Sequence, residues 1–75
     1  MLNPMNEARA SALSAAREAV VEAAKRTRGF EKAFWGAPND APSDTLMALN
    51  RDIAAAETEL RAATDALIAL EEQPK

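Results

Sequence analysis

The side chains of this chain that can do chemistry are carboxylates, cations, hydroxyls and three aromatic rings; histidine and cysteine are both absent. Without histidine, the commonest general base and the commonest metal ligand are missing. Without cysteine there is no thiolate nucleophile, no disulfide and no thiolate-held metal. A Ser–His–Asp or Cys–His constellation cannot be assembled, nor a di-iron bundle site, which needs paired Glu-x-x-His motifs. Ser11 and Ser14 have no base within reach. Asp52, Glu57 and Glu59 form an acidic face that would attract a cation only weakly, because it lacks the glycine-centred loop and ligand spacing of a calcium site. A solvated face is the simpler reading of these carboxylates. No catalytic residue, no metal and no cofactor is expected, and the chain reads as a non-enzymatic protein.

Recognition is the chemistry that remains. The segment Lys25–Trp35 (KRTRGFEKAFW) contains all three aromatic residues of the chain. Cations are interleaved with the rings. Aromatic side chains and arginine are the usual anchors of protein interfaces. Lys25, Arg28, Phe30, Lys32, Phe34 and Trp35 are therefore the candidate partner-binding residues. Phe30 and Phe34 also fall on the apolar seam described below, where rings plug the end of a bundle. Trp35 lies off that seam.

The elements that must position these residues are helical. Alanine occurs 19 times in 75 residues. It is joined mainly by Glu, Arg and Leu, all strong helix formers. The chain has no tyrosine and few β-branched residues, so a β fold has little material. Asn3-Pro4 is a helix start, with Asn as cap and Pro at the first helical position. The pattern continues to Trp35, with Gly29 as a point for a kink. Residues 36–43 (GAPNDAPS) are the connector. Asp40 or Ser43 caps a second helix over 44–72, and Asp44 suits its positive end. Gln73-Pro74 stops it. The fold expected is all-α: one domain, 1–75, folded as an antiparallel two-helix hairpin with a coiled-coil-like, alanine-rich seam.

The second helix carries Leu46, Leu49, Ile53, Ala56, Leu60, Ala63, Leu67 and Leu70, spaced alternately by three and four residues. That is the a/d repeat of a coiled coil. The first helix carries a weaker series: Leu13, Ala16, Val20, Ala23, Thr27, Phe30 and Phe34. Two registers place large residues against small ones, as dense packing requires. In one, Leu13 meets Ala63 and Ala23 meets Ile53. In the other, a heptad away, Ala16 meets Leu67, Val20 meets Ala63, Ala23 meets Leu60 and Phe34 meets Leu49. The second uses the full helix lengths and is preferred. Thr27, the one polar seam residue, can return its hydroxyl to a carbonyl one turn back. Met1, Met5 and Met47 read as gap-fillers. Glu22–Arg26 and Glu57–Arg61 read as i,i+4 pairs.

Charge separates the halves. Residues 1–35 sum to +2 and residues 36–75 to −5, giving the net −3. An acidic total argues against a nucleic-acid module. Residues 1–20 contain Glu7, Arg9, Arg17 and Glu18 and no long apolar run, so no signal peptide is expected. No stretch approaches the ~20 apolar residues of a membrane span, which points to a cytoplasmic protein. A core this small rarely supplies more than about 3–5 kcal/mol, so pairing into a homodimeric four-helix bundle is expected.

A two-helix antiparallel plan with alternating large and small layers resembles the small plasmid RNA-binding hairpins of the Rop type. That resemblance implies dimerisation into a four-helix bundle and RNA held on one helix face. Here the face would be Arg9, Arg17, Lys25, Arg28 and Lys32, interrupted by Glu18, Glu22 and Glu31. Trp35-Gly36 at the turn is similar to the Trp-x-Gly of secreted WXG-type hairpins, without the intervening residue. Secretion-system chaperones of hairpin form are similar in size and helix count. The function expected is binding to another protein as an adaptor, chaperone or inhibitor, in an accessory factor of phage or bacterial kind. A Rop-like RNA binder and a structural or secretion-system subunit ordered within an assembly are the alternatives.

Overall fold

The computed structural model describes residues 4–73. Among them there are two helices and no strand: α1, Pro4–Trp35, and α2, Ser43–Glu71, packed against each other as a hairpin. The residue before the first helix, Asn3, lies outside the described residues, so its capping role does too. So do Met1 and Pro74. Gly29 does not end α1, which runs through it without a positive φ. Tertiary packing offsets the roughly 1 kcal/mol by which glycine disfavours a helix interior.

The connector is tied by its own backbone. Gly36 N–H donates to the Lys32 carbonyl at 2.9 Å, Ala37 N–H to Phe34 at 3.3 Å and Ala41 N–H to Pro38 at 3.0 Å. A Cβ at residue 36 would stand 3.0 Å from the Lys32 oxygen, so a larger residue would push this turn apart by a few tenths of an ångström. The expected side-chain cap from Asp40 or Ser43 is absent. Pro42 occupies the cap position, with no side-chain bond. Its carbonyl accepts from Thr45 at 3.0 Å and Leu46 at 3.2 Å. Ser43 is already helical and cannot cap. Asp44 stands in the first turn, where the positive end of the helix favours it.

The seam follows the a/d series on both helices. Leu13, Ala16, Val20, Phe30 and Phe34 of α1 are at least half-buried, as are Leu46, Leu49, Ile53, Leu60, Ala63, Leu67 and Leu70 of α2. The most buried side chains are small: Ala23 is 1% exposed, Ala56 4% and Thr27 6%. Thr27 donates to the Ala23 carbonyl at 2.8 Å. Its hydroxyl is thus satisfied within its own helix and costs the seam no unpaired group. No large side chain among the described residues is fully buried.

Two cross-helix pairs fix the register. Arg26 Nη2 donates to Glu59 Oε2 at 2.9 Å. Arg17 Nη2 stands 3.8 Å from Glu71 Oε1. A heptad shift would put Asp52 and Thr64 in those places, so the alignment is the one with Ala23 facing Leu60. Both pairs are more than half exposed on average and contribute about 0–1 kcal/mol each. The Arg17 pair separates alignments that the alternating seam leaves nearly equal, since the shifted one offers Arg17 only Thr64 while Arg26 would meet Asp52. Recruitment of Arg26 across the seam displaces the expected Glu22–Arg26 pair; Glu22 instead meets Lys25 at 3.7 Å. The expected Glu57–Arg61 pair does not form among the described residues.

At the open end Arg9 donates to the carbonyls of Leu70 at 3.5 Å and Gln73 at 3.2 Å. The last turn of α2 has no basic residue of its own. A cation from α1 therefore supplies what the negative end of α2 attracts.

The hairpin measures 62 × 18 × 13 Å and its radius of gyration is 17.5 Å, against about 11 Å for a compact chain of this length. It exposes 5903 Å², where a compact monomer of 8.0 kDa exposes about 4,450 Å². No helix among the described residues is long and apolar enough to cross a membrane.

Nothing lies within 4 Å of where a Cβ on Gly29 would stand. Gly29→Ala is expected to stabilise the hairpin by about 0.5–1 kcal/mol, read as a higher midpoint in chemical denaturation with unchanged slope.

Candidate functional site

Helical geometry distributes the six candidate residues over three surfaces. Residues seven apart on a helix share a side. Phe30 and Phe34 sit in the seam and are half-buried. Phe30 borders a shallow groove with Arg26, Asp52, Ala55, Ala56 and Glu59. Lys25 and Lys32, seven residues apart, lie on the outer face of α1. Arg28 and Trp35, also seven apart, lie on one broad side of the hairpin.

Trp35 is the last residue of α1 and is 79% exposed. It meets Phe34 edge to face, with ring centroids 5.5 Å apart and planes at 89°. That is the arrangement aromatic quadrupoles favour. The half-buried Phe34 thereby braces an indole that remains exposed. Gly36 immediately follows, so no side chain from the connector covers the ring.

The cations differ in how far they are engaged. Lys25 pairs with Glu22 at 3.7 Å. Arg28 and Lys32 are exposed and make no ion pair among the described residues. The other cations expected along α1 turn inward: Arg17 to Glu71 and Arg9 to the end of α2. They hold the hairpin together instead of forming a free basic stripe.

Sequence reasoning assigned Met47 to gap filling, but the structure overturns that role for both described methionines. Met47 is 70% exposed and Met5 79%. Their seam neighbours, alanine and leucine, already close the space. Among the described residues the exposed large apolar side chains are Met5, Val21, Trp35, Met47 and Ile68. All but Met5 fall on one side. Val21 is four residues after Arg17 and Ile68 three before Glu71, the pair that closes that side. Trp35 and Met47 follow from these by whole heptads. Met5 lies three heptads before Arg26, whose pair with Glu59 closes the other side. The helical period of the outer apolar residues carried this signal.

Among the described residues, no cluster of three or more His, Cys, Asp or Glu side chains is placed to hold a metal ion. A second groove lies far from the aromatic patch, between Met5, Arg9, Leu13, Leu70 and Gln73. No protein-family model matches the chain, and no curated protein or solved structure is detectably similar to it.

Trp35→Ala is expected to change stability by no more than about 0.5 kcal/mol. Phe34→Ala, which empties a half-buried seam position, should cost about 1–3 kcal/mol. Urea titrations of the two variants check the contrast.

Proposed function

We propose that this protein is a non-enzymatic protein-binding module. In this reading it is a homodimeric bundle of two hairpins that engages a larger protein as an adaptor, chaperone or inhibitor. The observation that carries the reading is Trp35: a large ring, 79% exposed, braced by Phe34 and left uncovered by Gly36. Exposed aromatic residues beside unpaired arginine are what interface centres are made of. Arg28 and Lys32 supply the charge, and the turn end supplies a rigid platform. The homodimer is supported by the thin seam and by the extended shape. The surface exceeds that of a compact monomer by about 1,450 Å², and a stable interface needs about 800 Å² from each partner.

The engagement of Arg9, Arg17 and Lys25 within the hairpin favours protein over RNA as the target. Retention experiments with immobilised chain separate the two. Wild type should retain a protein target that Trp35→Ala loses, with equal helical circular dichroism in both. Retention of RNA with a steep salt dependence, unaffected by Trp35→Ala, would establish the Rop-like alternative instead.

A further inference from the structure

Among the described residues, the broad side that carries Val21, Trp35, Met47 and Ile68 gathers four of the five large apolar side chains that the chain leaves exposed. Along α1 this row reads Val21, Arg28, Trp35. Along α2 it reads Met47, Ala54, Arg61, Ile68. Inside the row, next to the seam, stand Ala24, Glu31, Glu57 and Thr64. Both charge signs occur on one surface, as they must on a surface that meets a copy of itself.

We propose that this side is covered by a second copy of the chain, stacked so that α1 of each copy lies on α2 of the other and both turns lie at the same end. This rests on the homodimer reading above and specifies its face and direction. A two-fold axis along the hairpin gives this stacking. An axis across the hairpin gives the other two-fold stacking, with the turns at opposite ends, α1 on α1 and α2 on α2.

Charge decides between them. The half that contains α1 sums to +2 and the half that contains α2 to −5. Stacking like on like opposes the two acidic helices along their whole length, which is unfavourable. Stacking α1 on α2 pairs opposite signs. The register set by Arg26–Glu59 and Arg17–Glu71 brings Arg28 level with Glu57. In the stacked pair each Arg28 meets Glu57 of the other copy. Neither residue has an ion-pair partner within its own hairpin among the described residues. Val21 and Ile68 lie over the interior of the contact, and Trp35 and Met47 lie at its rim at the shared end, where Trp35 stays open. A target then meets two Trp35 rings and two Lys32 side chains together.

The area is sufficient. Each chain exposes 5903 Å², about 1,450 Å² more than a compact monomer of its mass, so the roughly 800 Å² per copy that a stable interface needs is available on one side.

The chain has no cysteine, so Asn39→Cys in the connector takes a single spin label. Light scattering gives the mass and electron–electron double resonance gives the label separation. The expected results are a mass of twice 8.0 kDa and a separation well under half of the 62 Å length. A dimer with labels nearly a full length apart overturns the stacking and leaves the homodimer standing. A monomer overturns the homodimer reading itself. Val21→Glu should abolish the dimer and lower the midpoint of helical unfolding, whereas Ala12→Glu on the opposite side should leave both intact. The reverse outcome overturns the choice of face. Arg28→Glu alone should weaken dimerisation about tenfold, and Arg28→Glu with Glu57→Arg should restore it. Failure of that restoration removes the α1-on-α2 contact.

Discussion

The structure depends on small residues standing opposite large ones across a single seam. Ala23 and Ala56 are its most buried side chains. They let the helix axes approach closely and let leucine and isoleucine from α2 fill the space between them. The same choice limits what the seam can supply. An alanine brings little apolar surface to burial, and no large side chain among the described residues is enclosed. Two helices of 32 and 29 residues are thus held along one narrow line with their outer faces open.

Polar groups add direction to this seam more than strength. Alternation of large and small is nearly satisfied in two alignments a heptad apart. Arg17–Glu71 matches only one of them, because the other would set Arg17 against Thr64, whereas Arg26 would still find an acid in Asp52. Arg9 closes the far end by reaching the carbonyls of α2, which has no cation of its own there. Thr27 keeps its hydroxyl within its own helix. Three of the six cations of the basic first half, Arg9, Arg17 and Arg26, are consumed in holding the second half, and Lys25 pairs with Glu22. Arg28 and Lys32, left over near the turn, stand with Trp35 at the end proposed for recognition.

The hairpin was legible in the sequence because helix and seam rest on period, and period survives without tertiary information. The a/d series of α2 marks its buried face residue by residue, and that of α1 does the same despite its alanines. What was not legible depends on distance across the chain. Glu22 was the local partner for Arg26, but Glu59 on the facing helix is better placed. Ser43 has the right side chain for a cap, yet the fixed φ of Pro42 lets the helix begin one residue early and leaves Ser43 inside it. Met47 looked like filler because composition cannot tell that the space is already full. In the candidate site, the segment was visible as a cluster. Its division into seam rings, outer lysines and a side-facing Arg28 and Trp35 required the seam to be placed first.

The central claim is that one alanine-rich seam is not a complete core and that the hairpin's stability is tied to covering its open side. Thermal unfolding followed by helical circular dichroism tests this most directly, over a roughly hundredfold range of chain concentration. The account predicts a midpoint that rises steadily with concentration, because folding and association are linked. A midpoint independent of concentration, with a cooperative transition, would show that the lone hairpin is complete in itself and would contradict the account.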